Sequence, residues 1–366
     1  MQHPLHLIDE ITVEAIRQQA NQAEKQRRLT DQQLHIIYQN RWFNLFVPKT
    51  YGGLELSLTR ALELEEAFAW IDGSFGWIIT LCSGANWFIG FLSPQGRDEI
   101  FINSKTCLAG SGRASGVAKI VGNEYEVSGK WDYATGAAHA TTFTANCVVE
   151  TKGESQVQSF WFKPDEVEIE YNWNSMGMIA TSSDTFKIPV NNGQLRVPEY
   201  RTFKIDPANT TLPHLIYKFP FDAFAECTLA VNYSGMAMHF IELFEETIIK
   251  NNKIEKYIFD PDNFGLAIKL ENLLQQSKTS FEKTRNVFYQ SVDDAWKELT
   301  THSSITKNLI QQIGARSREL ADASLKITQE LYPYAGLVAA HPGSELNRVW
   351  RDLHTASQHT LLRFTL

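Results

Sequence analysis

The chain has 366 residues, 43% hydrophobic and 21% charged, the proportions of a globular protein too long for one compact core. Its net charge of −8 disfavours a nucleic-acid surface, because holding phosphates requires a basic patch. The four cysteines, Cys82, Cys107, Cys147 and Cys227, are far apart, fit no metal-ligand spacing and sit in apolar settings. They are expected as buried free thiols of a reducing, cytoplasmic compartment, and no metal site is expected.

Residues 1–108 read as helical. The opening MQHPLHLIDEITVEAIRQQANQ lacks a basic n-region and an apolar h-region, so no secretion signal is expected. VPKTYGG breaks the helices on either side of it. In LTRALELEEAFAWID the residues Leu64, Ala67, Phe68 and Ile71 form a buried stripe at helical spacing. From Gly73 to Gly96 there is no charged residue. The stretch approaches the length of a membrane span, but Ser74, Thr80, Ser83, Gly84, Asn86 and Gly90 interrupt it and Pro94 closes it. It is therefore expected as a helix buried on all sides, the possible floor of a pocket, and no membrane association is expected.

Residues 109–210 change character. AKIVGNEYEVSG carries a hairpin signal at Gly122-Asn123. FTANCVVE, VQSFWF and DTFKIPV are rich in strand formers, and glycines cluster between positions 110 and 136. A small antiparallel β domain is expected here. Residues 211–366 return to helical periodicity, with three long amphipathic segments expected to pack as a bundle. The expected class is thus α+β: an N-terminal helical domain, a middle β domain and a C-terminal bundle. There is no βαβ alternation with GxGxxG, and no P-loop, HExxH or GxSxG.

Four motifs in this order resemble the acyl-CoA dehydrogenase superfamily of flavoproteins. They are FVPKTYGGLELSLTRALELEEAFAWIDGSFGW, YEVSGKWDYATGAAHA, WNSMGMIATSSDTFKIPV followed by VPEY, and NRVWRDLHTASQH. The resemblance spans nearly the whole chain and implies a flavin-dependent oxidoreductase. Two branches are open. Acyl-CoA dehydrogenases oxidise a CoA thioester. Reduced-flavin monooxygenases take reduced flavin from a partner reductase and act with O₂ on small apolar or aromatic substrates. A flavin-free binding or scaffold protein on the same fold is a third reading.

Three departures favour the monooxygenase branch. Thr360 stands where many dehydrogenases place a glutamate base, and threonine cannot abstract an α-proton near neutral pH. Asp260 and Asp262 stand near where an arginine holds the FAD pyrophosphate. Like charges repel there, which favours FMN over FAD. The segment from Ser111 to Gly129 is also shorter than in the dehydrogenases. The resemblance further implies a homotetramer, with apolar positions between Phe264 and Leu299 in excess of one monomer face.

The same resemblance nominates residues. Thr135 matches a hydroxyl near flavin N5, and Tyr133 an aromatic flanking the ring. Ser111 matches a second flavin-contacting hydroxyl with a catalytic role, and Ser182 and Ser183 are further flavin candidates. Asn86 is a candidate hydrogen-bond donor, although Ala85 replaces the histidine that aromatic hydroxylases carry before their Asn-Trp. Each also has an ordinary reading as a turn or packing residue. In RDLHTASQH, His354 and His359 lie five apart, roughly 140° on a helix, so at most one faces any pocket. His359 is expected as the catalytic acid or base, since imidazole titrates near operating pH. His354 is expected to pack beside Trp350, His139 to sit in a loop at the β-domain rim, and His239 to be a core histidine. Trp87, Phe88 and Phe91 are either pocket lining or core.

Overall fold

The computed structural model describes residues 3–150, 155–189, 194–250 and 264–362. Asp9 accepts the Thr12 N–H at the start of α1 (Glu10–Arg17), which is followed by α2 (Ala20–Gln26). Thr30 and Gln33 form a reciprocal capping box at α3 (Asp31–Asn40). α4 (Leu58–Ile71) and α5 (Gly73–Asn86) are separated by a single extended residue, Asp72. Its carboxylate caps α5 through the Phe75 N–H at 2.9 Å, so one residue ends one helix and begins the next. A short α6 (Pro94–Ile100) completes the N-terminal helices.

The uncharged stretch is the buried helix that its composition implies. Phe75, Ile78, Ile79 and Cys82 are inaccessible, and no described helix is long and apolar enough to cross a bilayer. Trp87 belongs to the core: it is fully buried and stacks on Phe224 with ring centroids 4.9 Å apart.

Strands run from β1 (Leu108–Val121) and β2 (Glu124–Ser128) through β3 (Lys130–Ala134), β4 (Thr142–Glu150), β5 (Ser155–Phe162), β6 (Glu168–Glu170), β7 (Asp184–Lys187) and β8 (Leu195–Pro198) to β9 (Thr202–Phe203). They form one sheet in the order β8-β2-β1-β4-β5-β9 and a second in the order β3-β7-β6. The expected hairpin is present: Val121 pairs with Glu124 across Gly122-Asn123, and Gly122 takes φ +64°, which suits glycine. The domain is not uniformly antiparallel, however. β1 and β4 pair in parallel, because the chain crosses to the second sheet through β3 before returning as β4. Trp131, Phe143, Phe160, Phe162 and Phe186 fill the space between the sheets.

The C-terminal helices are α7 (Phe221–Phe244), α8 (Phe264–His302), α9 (Lys307–Leu331), α10 (Gly336–Ala340) and α11 (Glu345–Ala356). α7 is buried along nearly its whole length. It packs against α4 and α9, and α8 is fixed to both α4 and α7 by a buried cluster. There Glu66 accepts Arg285 Nε at 2.7 Å, Ser234 Oγ at 2.5 Å and the Tyr289 hydroxyl at 3.0 Å. Such a fully bonded charge specifies register between helices that apolar contacts alone would let slide. All four cysteines are buried and free.

Candidate active site

Three segments meet along α5. The first is the turn after β3. Tyr133 takes a left-handed φ of 65°, which turns its ring outward, 57% exposed, with the Arg113 guanidinium 5.1 Å above it. Thr135 then turns inward, 7% exposed. Gly136 N–H donates to the Thr181 carbonyl at 2.9 Å, and the Cys82 thiol lies 3.8 Å from the Thr135 carbonyl.

The second segment is the loop from Ser175 to Asp184. Met178 and Ser182 are both left-handed, so the loop is tightly folded. Its hydroxyls are buried and linked. Thr135 Oγ1 lies 2.9 Å from Ser183 Oγ, which lies 2.8 Å from Thr181 Oγ1. Ser182 faces the other way: it donates to Asp184 at 2.6 Å and accepts the Ala138 N–H at 3.2 Å. Thus Tyr133, Thr135 and Ser183 come together, while Ser182 braces the turn from behind. On that rear side a pocket of about 290 Å³ is lined by Arg27, Arg28, Trp173 and Asp184 among others.

The third segment is α11 and its exit. The helix stops at Ala356, and a turn follows in which the His359 N–H donates to the Ala356 carbonyl at 2.9 Å. The expectation that both histidines share one helix is therefore corrected, and the rotation argument does not apply. The cause is tertiary: the Tyr233 hydroxyl of α7 donates to the Ala356 carbonyl at 2.5 Å and terminates the helix there. His359 still reaches α5, with its ring 5.9 Å from that of Trp77. Burial lowers its pKa, which favours the neutral ring. Leu361 N–H lies 3.4 Å from Nδ1, an arrangement that leaves the ring proton on Nε2. His354 has the expected packing role: Nδ1 donates to the Trp350 carbonyl at 2.7 Å and the ring stacks on Trp350 at 4.0 Å.

One nominated residue is not brought to this cluster. Asn86 is corrected from catalytic donor to structural tie. It is fully buried at the far end of α5; its amide donates to the Phe43 and Thr106 carbonyls at 3.0 and 2.9 Å and its oxygen accepts the Leu108 N–H at 2.9 Å. It anchors the start of β1. Ser111 lies three residues further along β1, half-buried and in register with Ala145. His139 stands in the turn, and burial together with Arg28 pushes its pKa down to about 4. His239 is a core residue, 2% exposed and 3.2 Å from Glu345. Among the described residues no group of three or more metal-ligating side chains converges.

Two contributors escaped sequence reasoning. Asp352 Oδ1 accepts the Met178 N–H at 2.5 Å, and Thr355 Oγ1 accepts the Gly177 N–H at 2.9 Å. Together they fasten the hydroxyl-bearing loop to α11. The approach is close enough that a Cβ on Gly177 would stand 2.1 Å from the Arg351 carbonyl oxygen. Asp352 is fully buried and its Oδ2 has no hydrogen-bond partner. Burial, reinforced by Asp72, pushes its pKa up to about 8 against the opposing Met178 N–H, so it is held as the neutral acid.

The cluster fits an isoalloxazine ring. It offers one outward aromatic, a buried hydroxyl at its edge and a neutral imidazole, on a wall formed by α5. Residues 271–364 match the family model described as acyl-CoA dehydrogenase, C-terminal domain. The oxygenase subunit HsaA of a flavin-dependent monooxygenase from Mycobacterium tuberculosis is 24% identical over 98% of this chain and 91% of its own. The crystal structure of HsaA from M. tuberculosis superposes with a TM-score of 0.88 over 98% of this chain and 94% of that one, at 22% identity. XiaF from Streptomyces sp., solved with FADH2 and glycerol, gives 0.84 over 98% and 90% at 20% identity. TdsC from Paenibacillus sp. A11-2, solved with FMN and indole, gives 0.72 over 94% and 90% at 17% identity. The chain thus has the fold of the acyl-CoA dehydrogenase-like flavoproteins, and the relatives that it matches along its length include oxygenase subunits of flavin-dependent monooxygenases.

Proposed function

We propose that the protein is the oxygenase component of a two-component flavin-dependent monooxygenase, acting on a small apolar or aromatic molecule. The observation that carries this reading is the meeting of Tyr133, Thr135 and Ser183 with the wall of α5 against which His359 is held. A bound reduced flavin would supply the electrons and the site of O₂ activation. Tyr133 would flank the ring and Thr135 would hold its edge. Ser111, on the neighbouring strand, is kept as a second flavin-contacting hydroxyl. Neutral His359, with its proton on Nε2, would donate that proton towards the reacting oxygen and recover it from the substrate or solvent. Trp77 limits water on one side of the imidazole, which keeps the proton where it is needed.

One oxygen atom of O₂ would enter the substrate and the other would leave as water, with reduced flavin as the electron donor. A partner flavin reductase is therefore part of the proposal. FMN is proposed over FAD on the charge of Asp260 and Asp262, which lie outside the described residues; calorimetry with clearly tighter FAD binding would reverse that choice. A homotetramer is proposed from the apolar positions of α8, of which Ile268 and Val287 remain 46% and 40% exposed; light scattering would reveal a monomer if this is wrong. The four free buried thiols support a reducing, cytoplasmic setting.

The deciding experiment supplies reduced flavin under ¹⁸O₂ with a panel of small aromatics and follows oxygen uptake. The expected result is a product carrying one ¹⁸O atom. Failure to bind flavin in either redox state would leave the scaffold reading standing, and oxidation of a CoA thioester with an artificial electron acceptor would favour the dehydrogenase reading.

A further inference from the structure

The buried hydroxyl chain has a direction. A hydroxyl has one proton to give and two lone pairs with which to accept. Thr181 Oγ1 lies 2.9 Å from the Met178 carbonyl oxygen, which can only accept, so Thr181 spends its proton there. That carbonyl is held in place. Trp173 Nε1 donates to it at 2.7 Å, a longer bond of 3.2 Å comes from Thr181 N–H, and Asp352 fixes the same residue through its N–H. Ser183, 2.8 Å from Thr181 Oγ1, must then be the donor in that pair. Thr135, 2.9 Å from Ser183 Oγ, must in turn donate to Ser183. The consequence falls at the open end of the chain. Thr135 Oγ1 has no proton left and presents lone pairs alone.

We propose that this one-way chain, Thr135 to Ser183 to Thr181 to the Met178 carbonyl, makes the flavin site select the reduced cofactor. The inference rests on the flavin reading given above. A reduced isoalloxazine carries an N–H at N5 and can donate, whereas the oxidised ring has a bare N5 that requires a donor. Set near N5, where the resemblance puts Thr135, an acceptor-only hydroxyl would match the first and would face the second with lone pair against lone pair. Thr181 and Ser183 are 0% and 6% exposed, so water cannot readily supply a substitute acceptor and let the chain reverse. Linked hydroxyls also polarise one another in the same sense. Thr181 and Ser183 are thus positioning residues, acting on the cofactor through Thr135. An oxygenase that receives reduced flavin and returns the oxidised form gains turnover from such a preference.

The test is anaerobic titration of the full chain with oxidised and reduced FMN, and with FAD as a second probe of the same ring. Affinities are read by calorimetry and flavin fluorescence. Wild type should bind the reduced form more tightly. Thr181→Val removes the terminal donor without changing the side chain's shape and frees Ser183 and Thr135 to rotate. The ratio of reduced to oxidised affinity should then fall by about five- to tenfold, the worth of one hydrogen bond, chiefly because the oxidised form binds better. Ser183→Ala interrupts the next link and should act in the same direction. It also provides the measurement if Thr181→Val does not fold, as judged by circular dichroism. Equal wild-type affinities for the two redox states, or a ratio unchanged in the variants, would overturn the inference while leaving flavin binding intact. Absence of binding in either state would overturn the flavin reading and this inference together.

Discussion

Replacing Asp352 by asparagine separates its two duties, tethering the Met178 loop and carrying a buried proton. The asparagine oxygen can still accept the Met178 N–H, whereas the side chain no longer titrates. In the folded protein the carboxyl is pushed up from an ordinary 3.8 to about 8, first by burial and then by Asp72 and Glu24, with the Met178 N–H and Arg348 opposing. A raised folded-state pKa sets the sign. The contribution to stability is complete below the unfolded value and is lost as pH rises towards the folded one, because the folded protein keeps a proton that the unfolded chain releases. The slope for one group is about 1.4 kcal/mol per pH unit. The unfolding free energy of Asp352→Asn minus that of wild type should therefore grow by up to about 1.4 kcal/mol per unit from about pH 5 to about pH 7 and level off above about pH 8. Urea unfolding of both proteins at matched concentration across that range measures it. A difference that stays flat with pH, or that shrinks as pH rises, would refute the placement of a neutral Asp352 in the core.

Two further substitutions probe the site and its support. His359→Ala should lower turnover by about 10²-fold or more and raise the yield of hydrogen peroxide when reduced flavin is supplied, with the fold retained, whereas His354→Ala should do little beyond loosening the packing on Trp350; equal effects of the two would remove His359 from the chemistry. Asn86→Ala should cost about 3 kcal/mol or more, since it strands buried backbone groups of two segments at once, and a loss below about 0.5 kcal/mol in urea unfolding would contradict its role as a tie.

Local chemistry made much of this molecule legible. The change from helical period to strand composition and back is visible residue by residue, as are the Gly122-Asn123 turn and the uncharged run that becomes α5. These features depend on neighbours in sequence, and burial merely confirms them. The family's order of motifs placed Tyr133, Thr135, Ser183 and His359 among the candidates without saying how they meet. Tertiary structure decided the rest. His359 reads as helical because nothing in HTASQH ends a helix; the hydroxyl of Tyr233, 123 residues away, does so. Asn86 looked free to act because its partners Phe43 and Thr106 lie on other elements. Nothing in the residues around Asp352 marks it as a neutral acid; its burial and its contact with Met178, 174 residues earlier, make it one. The direction of the hydroxyl chain is the extreme case. Sequence supplies three hydroxyls, each able to donate or accept, and a proton order emerges only when folding sets all three in line with a carbonyl that cannot donate.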